Sequence, residues 1–187
     1  MARMQVRTSK SDPIEIDPIR PNGSDGLIGM TFCPGKVDPH ARYGAWRRDL
    51  DTDLDAIASW GARTVVTLVE DQELEFLQVR GLGDGVRARG MQWIHFPMVD
   101  TEAPGGTFDV RWPAVGSEIV SELKRGGNVV LHCRGGLGRT GTIAVLLMRE
   151  FGHLVDEAIE LVRSAREDTI EYVQEIYLRG LATRRSE

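Results

Sequence analysis

The chain has 187 residues, 41% hydrophobic and 27% charged, which suits one globular domain with a proper core and leaves little room for a second. A net charge of -5 argues against a generic binder of nucleic acid or anionic membrane, so any attraction for phosphate must be local. Only Cys33 and Cys133 are cysteines, the basic N-terminus lacks an apolar signal segment and no apolar run approaches membrane-spanning length, so a cytoplasmic protein without a disulfide framework is expected.

Residues 1–26 carry Pro13, Pro18, Pro21 and a turn cluster at 22–26 with no sustained periodicity, which predicts an extended leader ahead of a domain at 27–187. A strand is predicted at 27–32, broken by Cys33-Pro34-Gly35. Residues 49–60 place Leu50, Leu54, Ile57 and Trp60 at helical spacing, with Gly61 set to end the helix. A buried strand at 64–69, a short helix at 73–79, a second near Val86 and a strand at 92–97 follow, with a plain turn over Gly81 to Gly85. Residues 110–124 read as helix and 129–131 as strand, and three helices at 142–151, 155–165 and 169–181 close the chain. Strands alternating with helices in this order predict a single α/β domain with a central, largely parallel sheet flanked by helices.

The most informative stretch begins at the strand 129–131 and runs His132-Cys133-Arg134-Gly135-Gly136-Leu137-Gly138-Arg139-Thr140-Gly141. Five residues separate Cys133 from Arg139, the spacing a loop needs to wrap one tetrahedral oxyanion. The amides of 134 to 139 can point inward, Arg139 can close the ring as a two-pronged donor, and the sulfur can lie beneath the phosphorus. The following helix would aim its free amides and positive dipole end at the same spot. Gly136 to Gly141 also spells G-x-G-x-x-G, but no second strand with a terminal acid follows, and the P-loop lysine is missing, so a nucleotide site is rejected. Taken alone, Cys133 could be a buried core cysteine. Core packing does not need two arginines, four glycines and a helix start around it, whereas a thiolate nucleophile does.

The loop resembles the signature of the cysteine-dependent protein tyrosine and dual-specificity phosphatases, H-C-x-x-x-x-x-R-[ST], in His132, Cys133, Arg139 and Thr140. Together with Phe32-Cys33-Pro34-Gly35, the helix 49–61 and Phe96-Pro97-Met98-Val99-Asp100, it is similar to the cyclin-dependent kinase inhibitor 3 branch and its bacterial relatives, over about residues 27–181. The resemblance implies a catalytic domain at 27–187 that attacks phosphorus with Cys133. Arg139 and the amides of Arg134, Gly135, Gly136, Leu137 and Gly138 would hold the phosphate, and Thr140 would help the thiolate leave. His132 would support the loop. No metal or cofactor is required, and the acids and histidines show no metal-ligand spacing.

The leaving oxygen needs a proton. Asp100, in the loop after the predicted strand 92–97, matches the general-acid position of the family, with Glu102 and Asp109 as rivals. Glu171 stands near where classical tyrosine phosphatases offer a glutamine to position water, with Gln174 one turn later; a helix cap built on Asp168 and Glu171 is the structural alternative. Arg42, Arg47, Arg48, Arg163 and Arg166 are rim candidates or plain surface arginines, and Cys33 is a distant candidate for a resolving thiol. The side chain of Arg134 adds charge at the rim, or its backbone alone serves the phosphate.

The expected function is hydrolysis of phosphotyrosine, and of phosphoserine or phosphothreonine, on a protein or peptide substrate. A phosphatase of inositol phosphates, phosphoinositides or other small molecules would use the same loop, and a binding module that holds phosphoproteins without turnover is the non-enzymatic alternative.

Overall fold

The computed structural model describes residues 6–41 and 44–183. Five strands make the main sheet: β1 (Asp17–Ile19), β2 (Ile28–Phe32), and three more introduced below. A second, two-stranded sheet joins β3 (Val37–Asp38) to β4 (Trp46–Arg47). None of β1, β3 and β4 exceeds three residues, too short for an alternating pattern to be read from sequence.

Helix α1 (Leu50–Ser59) starts at Asp49, whose carboxylate accepts from the Thr52 amide at 2.8 Å, and buries Leu54 and Ile57. It leads into β5 (Ala62–Thr67), α2 (Asp71–Phe76), α3 (Leu82–Ala88) and β6 (Gln92–His95). Of the expected turn over Gly81 to Gly85, residues 82–85 are instead the first part of α3. Gly83 lies so close to Trp93 that a Cβ would stand 2.5 Å from the indole, so close packing rather than turn formation accounts for this glycine. Helix α4 (Thr107–Lys124) and β7 (Asn128–Cys133) precede α5 (Gly138–Glu150), α6 (Val155–Ala165) and α7 (Tyr172–Thr183).

The sheet order is β1-β2-β7-β5-β6, parallel throughout except for β1, which runs antiparallel to β2 at the edge. Helices α4, α5 and α6 pack around β7, β2 and β1, while α1 and α3 pack on β5 and β6. This is the expected single α/β domain. β7 is central and buried from Val129 to Cys133, so the loop after it leaves the carboxyl edge of the sheet between the ends of β2 and β5.

Three helix starts differ from the sequence expectation by three residues or more, the first being α4, which begins at Thr107 rather than 110. α5 begins at Gly138, four residues earlier than 142, because Gly138, Arg139, Thr140 and Gly141 are already helical and buried. α7 begins at Tyr172 rather than 169, since Asp168 and Ile170 sit at φ 58° and 67°, which a right-handed helix forbids. Asp168 therefore does not stand at the start of α7. Instead the Glu171 amide donates to Gln174 Oε1 at 3.0 Å.

Candidate active site

Cys133 is the last residue of β7 and pairs in register with Phe32 of β2. It is 3% exposed and lies on a cavity of about 550 Å³. Phe32 and Trp46, with ring centroids 5.0 Å apart, line that cavity together with Lys36, Asp100 and Arg134.

The loop from Arg134 to Leu137 turns back at once into α5. Gly136 sits at φ 71°, and a Cβ there would meet the Thr31 carbonyl oxygen at 2.3 Å, so only glycine fits. The amides of Gly135, Gly136 and Leu137 find no acceptor among the described residues, and α5 adds the open N–H groups of its first turn.

Arg139, in the first turn of α5, is 1% exposed. Its Nη1 donates to Glu73 Oε2 at 2.5 Å and to the Met98 carbonyl at 3.1 Å, and its Nη2 donates to Glu73 Oε1 at 2.9 Å. Asp100 Oδ1 lies 3.1 Å from Nη2 on the other side. Burial alone would lower the Arg139 pKa, but the Glu73 hydrogen bonds and the charges of Cys133, Glu73 and Asp100 raise it, so the guanidinium stays charged. Burial would raise the Glu73 carboxyl, yet hydrogen bonds from Arg139 and the Glu70 amide, with the Arg139 and Arg134 charges, hold it below its usual range. Sequence reasoning missed Glu73 because its partner lies on a different element.

His132 is fully buried. Its Nε2 lies 2.8 Å from Thr67 Oγ1, directly across the β5–β7 ladder, and the Trp93 indole donates to the same Oγ1 at 2.8 Å. The indole can only donate, so Thr67 Oγ1 accepts from Trp93, and its second lone pair and its proton both face the contact with His132 Nε2. Burial pushes the His132 pKa down to about 3, the attraction of the Cys133 backbone offsetting only part of that. Nδ1 has no hydrogen-bond partner among the described residues. Arg139 Nε and Thr140 Oγ1 are also buried without a partner there.

The remaining sequence candidates separate clearly. Asp100 lines the cavity, whereas Asp109 is near the Tyr177 hydroxyl at 3.4 Å and Glu102 offers its carbonyl to Gln174 at 3.3 Å. The Arg134 side chain is gripped by both oxygens of buried Asp38, at 2.9 and 3.1 Å, and stacks over Phe76. Arg48 is not at the rim: it is buried in a two-pronged pair with Asp53 at 2.7 and 2.8 Å. Arg163 is tied to Glu175, Arg47 is exposed, and Arg42 lies outside the described residues. Arg166 does reach the site, through carbonyls of the loop. Glu171 lines the cavity, and fully buried Gln174 packs on Gly138. Cys33 is fully buried at the end of β2, and burial pushes its thiol far up, more than the nearby Lys36 charge lowers it. Among the described residues no group of three or more His, Cys, Asp or Glu side chains is placed to hold a metal ion, and no helix is long and apolar enough to cross a membrane.

A family model described as "Polymorphic toxin system, DSP-PTPase phosphatase" matches residues 43–152, more than half of the chain. The chain belongs to this family. Cyclin-dependent kinase inhibitor 3 of Mus musculus is 29% identical to this chain over 140 residues, covering 73% of this chain and 62% of that protein. The chain thus spans less than two thirds of that relative's length. A crystal structure of kinase associated phosphatase, with its catalytic-site cysteine changed to serine, superposes with a TM-score of 0.81 at 22% identity over 94% of this chain and 97% of that one. A crystal structure of Tk-PTP in the active form gives 0.64 at 26% identity, over 84% and 92%. The chain therefore sits in the dual-specificity and tyrosine phosphatase superfamily, on the branch similar to cyclin-dependent kinase inhibitor 3.

Proposed function

We propose that the phosphatase hydrolyses phosphomonoesters on proteins, phosphotyrosine foremost, through a phosphocysteine intermediate on Cys133. The observation that carries this reading is the position of Cys133 at a cavity with aromatic Phe32 and Trp46 in its lining, beside a loop with free amides and a buried Arg139. An aryl phosphate is long enough to bring phosphorus to a buried sulfur, and its ring packs well on aromatic side chains.

In the first step the Cys133 thiolate attacks phosphorus in line and the ester P–O bond breaks. Arg139 and the amides of Arg134, Gly135, Gly136, Leu137 and Gly138 hold the equatorial oxygens. Asp100 gives its proton to the leaving oxygen. Asp100 lies 3.1 Å from Arg139 Nη2, so a phosphate that takes over Nη2 releases Asp100 toward the leaving oxygen. In the second step water attacks phosphorus, Asp100 takes the water proton, and the P–S bond breaks with the Thr140 hydroxyl supporting the departing thiolate. His132, held neutral by burial, acts as a loop support and not as a base. Residues 27–187 carry this chemistry, and the leader 1–26 adds the sheet edge β1.

The test is vanadate-sensitive hydrolysis of p-nitrophenyl phosphate and of phosphotyrosine peptides, abolished in Cys133→Ser. Faster turnover of inositol phosphates or phosphoinositides than of phosphopeptides would move the substrate class to small molecules. Tight phosphopeptide binding without turnover by the unmodified protein would make it a binding module.

A further inference from the structure

Three consecutive carbonyls of the loop each accept from a cationic side chain. Lys36 Nζ donates to the Arg134 carbonyl at 3.1 Å, while Arg166 donates from Nη2 to the Gly135 carbonyl at 3.3 Å and from Nε to the Gly136 carbonyl at 2.7 Å. The two side chains come from opposite parts of the chain, Lys36 before β3 and Arg166 just after α6. Neither is free to swing. Lys36 is 4% exposed and stacked over the Phe32 and Trp46 rings, and Arg166 is anchored through Nη1 to Asp17 of β1 at 2.5 Å.

A trans peptide is planar, with its C=O and N–H on opposite sides. Fixing the carbonyls of Arg134, Gly135 and Gly136 outward therefore turns the amides of Gly135, Gly136 and Leu137 inward, and these are the amides without an acceptor among the described residues. Left to itself, a glycine-rich loop has the conformational freedom to rotate these peptides the other way, which would aim carbonyl oxygens at an incoming anion.

We propose that Lys36 and Arg166 are positioning residues that hold the loop in its anion-receiving form by pinning its three carbonyls outward. The inference rests on the reading of this loop as the seat of the transferred phosphoryl group. Neither side chain need touch substrate for the effect. Arg166 also couples the cup to the N-terminal strand through Asp17.

The experiment measures binding of tungstate, a tetrahedral oxyanion, by calorimetry to Cys133→Ser protein carrying Arg166→Met, Arg166→Lys or Lys36→Met. In otherwise native protein, the rate of Cys133 alkylation by iodoacetate is followed at fixed pH. The dissociation constant is expected to rise about tenfold in each Met variant, the equivalent of roughly one well-made hydrogen bond. Arg166→Lys keeps the charge but cannot span both carbonyls, so it is expected to stay several-fold weaker than the parent, with slower alkylation of Cys133. Full recovery by Arg166→Lys would overturn the proposal in favour of simple charge attraction. Unchanged affinity in folded Met variants would show that the two residues only stabilise the fold. Failure of the Cys133→Ser parent itself to bind tungstate would instead remove the phosphate-seat reading, and this inference with it.

Discussion

Glu73 holds Arg139 by both carboxylate oxygens, at 2.5 Å to Nη1 and 2.9 Å to Nη2, across 66 residues of sequence. The pair joins the first turns of α2 and α5, and the Glu70 amide donating to Glu73 Oε2 at 2.9 Å fixes the rotamer of the acid. Arg139 is left with Nε and one edge of Nη2 for an anion.

Replacing Glu73 by Gln keeps the size of the side chain but leaves a buried guanidinium without its counter-charge. Breaking such a pair from one side destabilises by about 3 kcal/mol, and misplacing the anion-holding arginine costs on the order of a hundredfold in kcat/KM. Urea unfolding and turnover of a phosphotyrosine peptide measure the two effects. Native-like kcat/KM in Glu73→Gln would mean that Arg139 does not depend on this anchor.

Asp100 competes for the same guanidinium, 3.1 Å from Nη2, and this gives Asp100→Asn two opposite effects. Turnover of substrates with poor leaving groups falls on the order of 100-fold to 1000-fold, with far less loss on p-nitrophenyl phosphate. Tungstate at the same time binds a few-fold more tightly (roughly), because no carboxylate opposes it. Equal losses on both substrates would transfer the acid role to Glu102 or Asp109.

Lys36 carries a cost in stability that its position explains. Burial pushes its pKa from 10.5 down to about 8, with Cys33, Asp38 and Cys133 pulling it partly back and Arg48 adding to the fall. Between these two values the unfolded chain binds the proton more than the folded one, so stability rises as pH climbs from about 8 toward 10.5. Below that window the buried charge is paid for in full, on the order of 3 kcal/mol, less about 1 kcal/mol returned by its hydrogen bond. Lys36→Met is therefore expected to be more stable at neutral pH by roughly 2 kcal/mol and to lose the stability rise above pH 8, while its anion affinity drops. Denaturant midpoints of both proteins from pH 7 to about 10 test this. A less stable Lys36→Met with an unchanged slope would show the lysine to be a net stabiliser.

The central part of the fold was legible because it is made of long signals. The apolar run at 129–131 is the middle of β7, and α5, buried from Gly138 to Met148, follows a loop whose glycines announce close backbone approach. What escaped was short or remote. β1, β3 and β4 contain two or three residues each, and the positive φ of Asp168 and Ile170 that delays α7 falls on side chains that seldom adopt it. Arg166 reads in sequence as one more surface arginine, and only the return of the chain after α6 brings it to the Gly135 and Gly136 carbonyls. Glu73 carries no local mark at all, since a carboxylate in the first turn of a helix has a sufficient reason in the helix dipole.

The most direct test is to trap the intermediate. Acid quenching during turnover of a phosphotyrosine peptide, followed by mass spectrometry of the proteolysed protein, is expected to place one phosphoryl group on Cys133, with a larger share trapped in Thr140→Ala as thiolate departure slows. Steady turnover with no phosphoryl group on Cys133, or turnover that survives Cys133→Ser, would contradict the account.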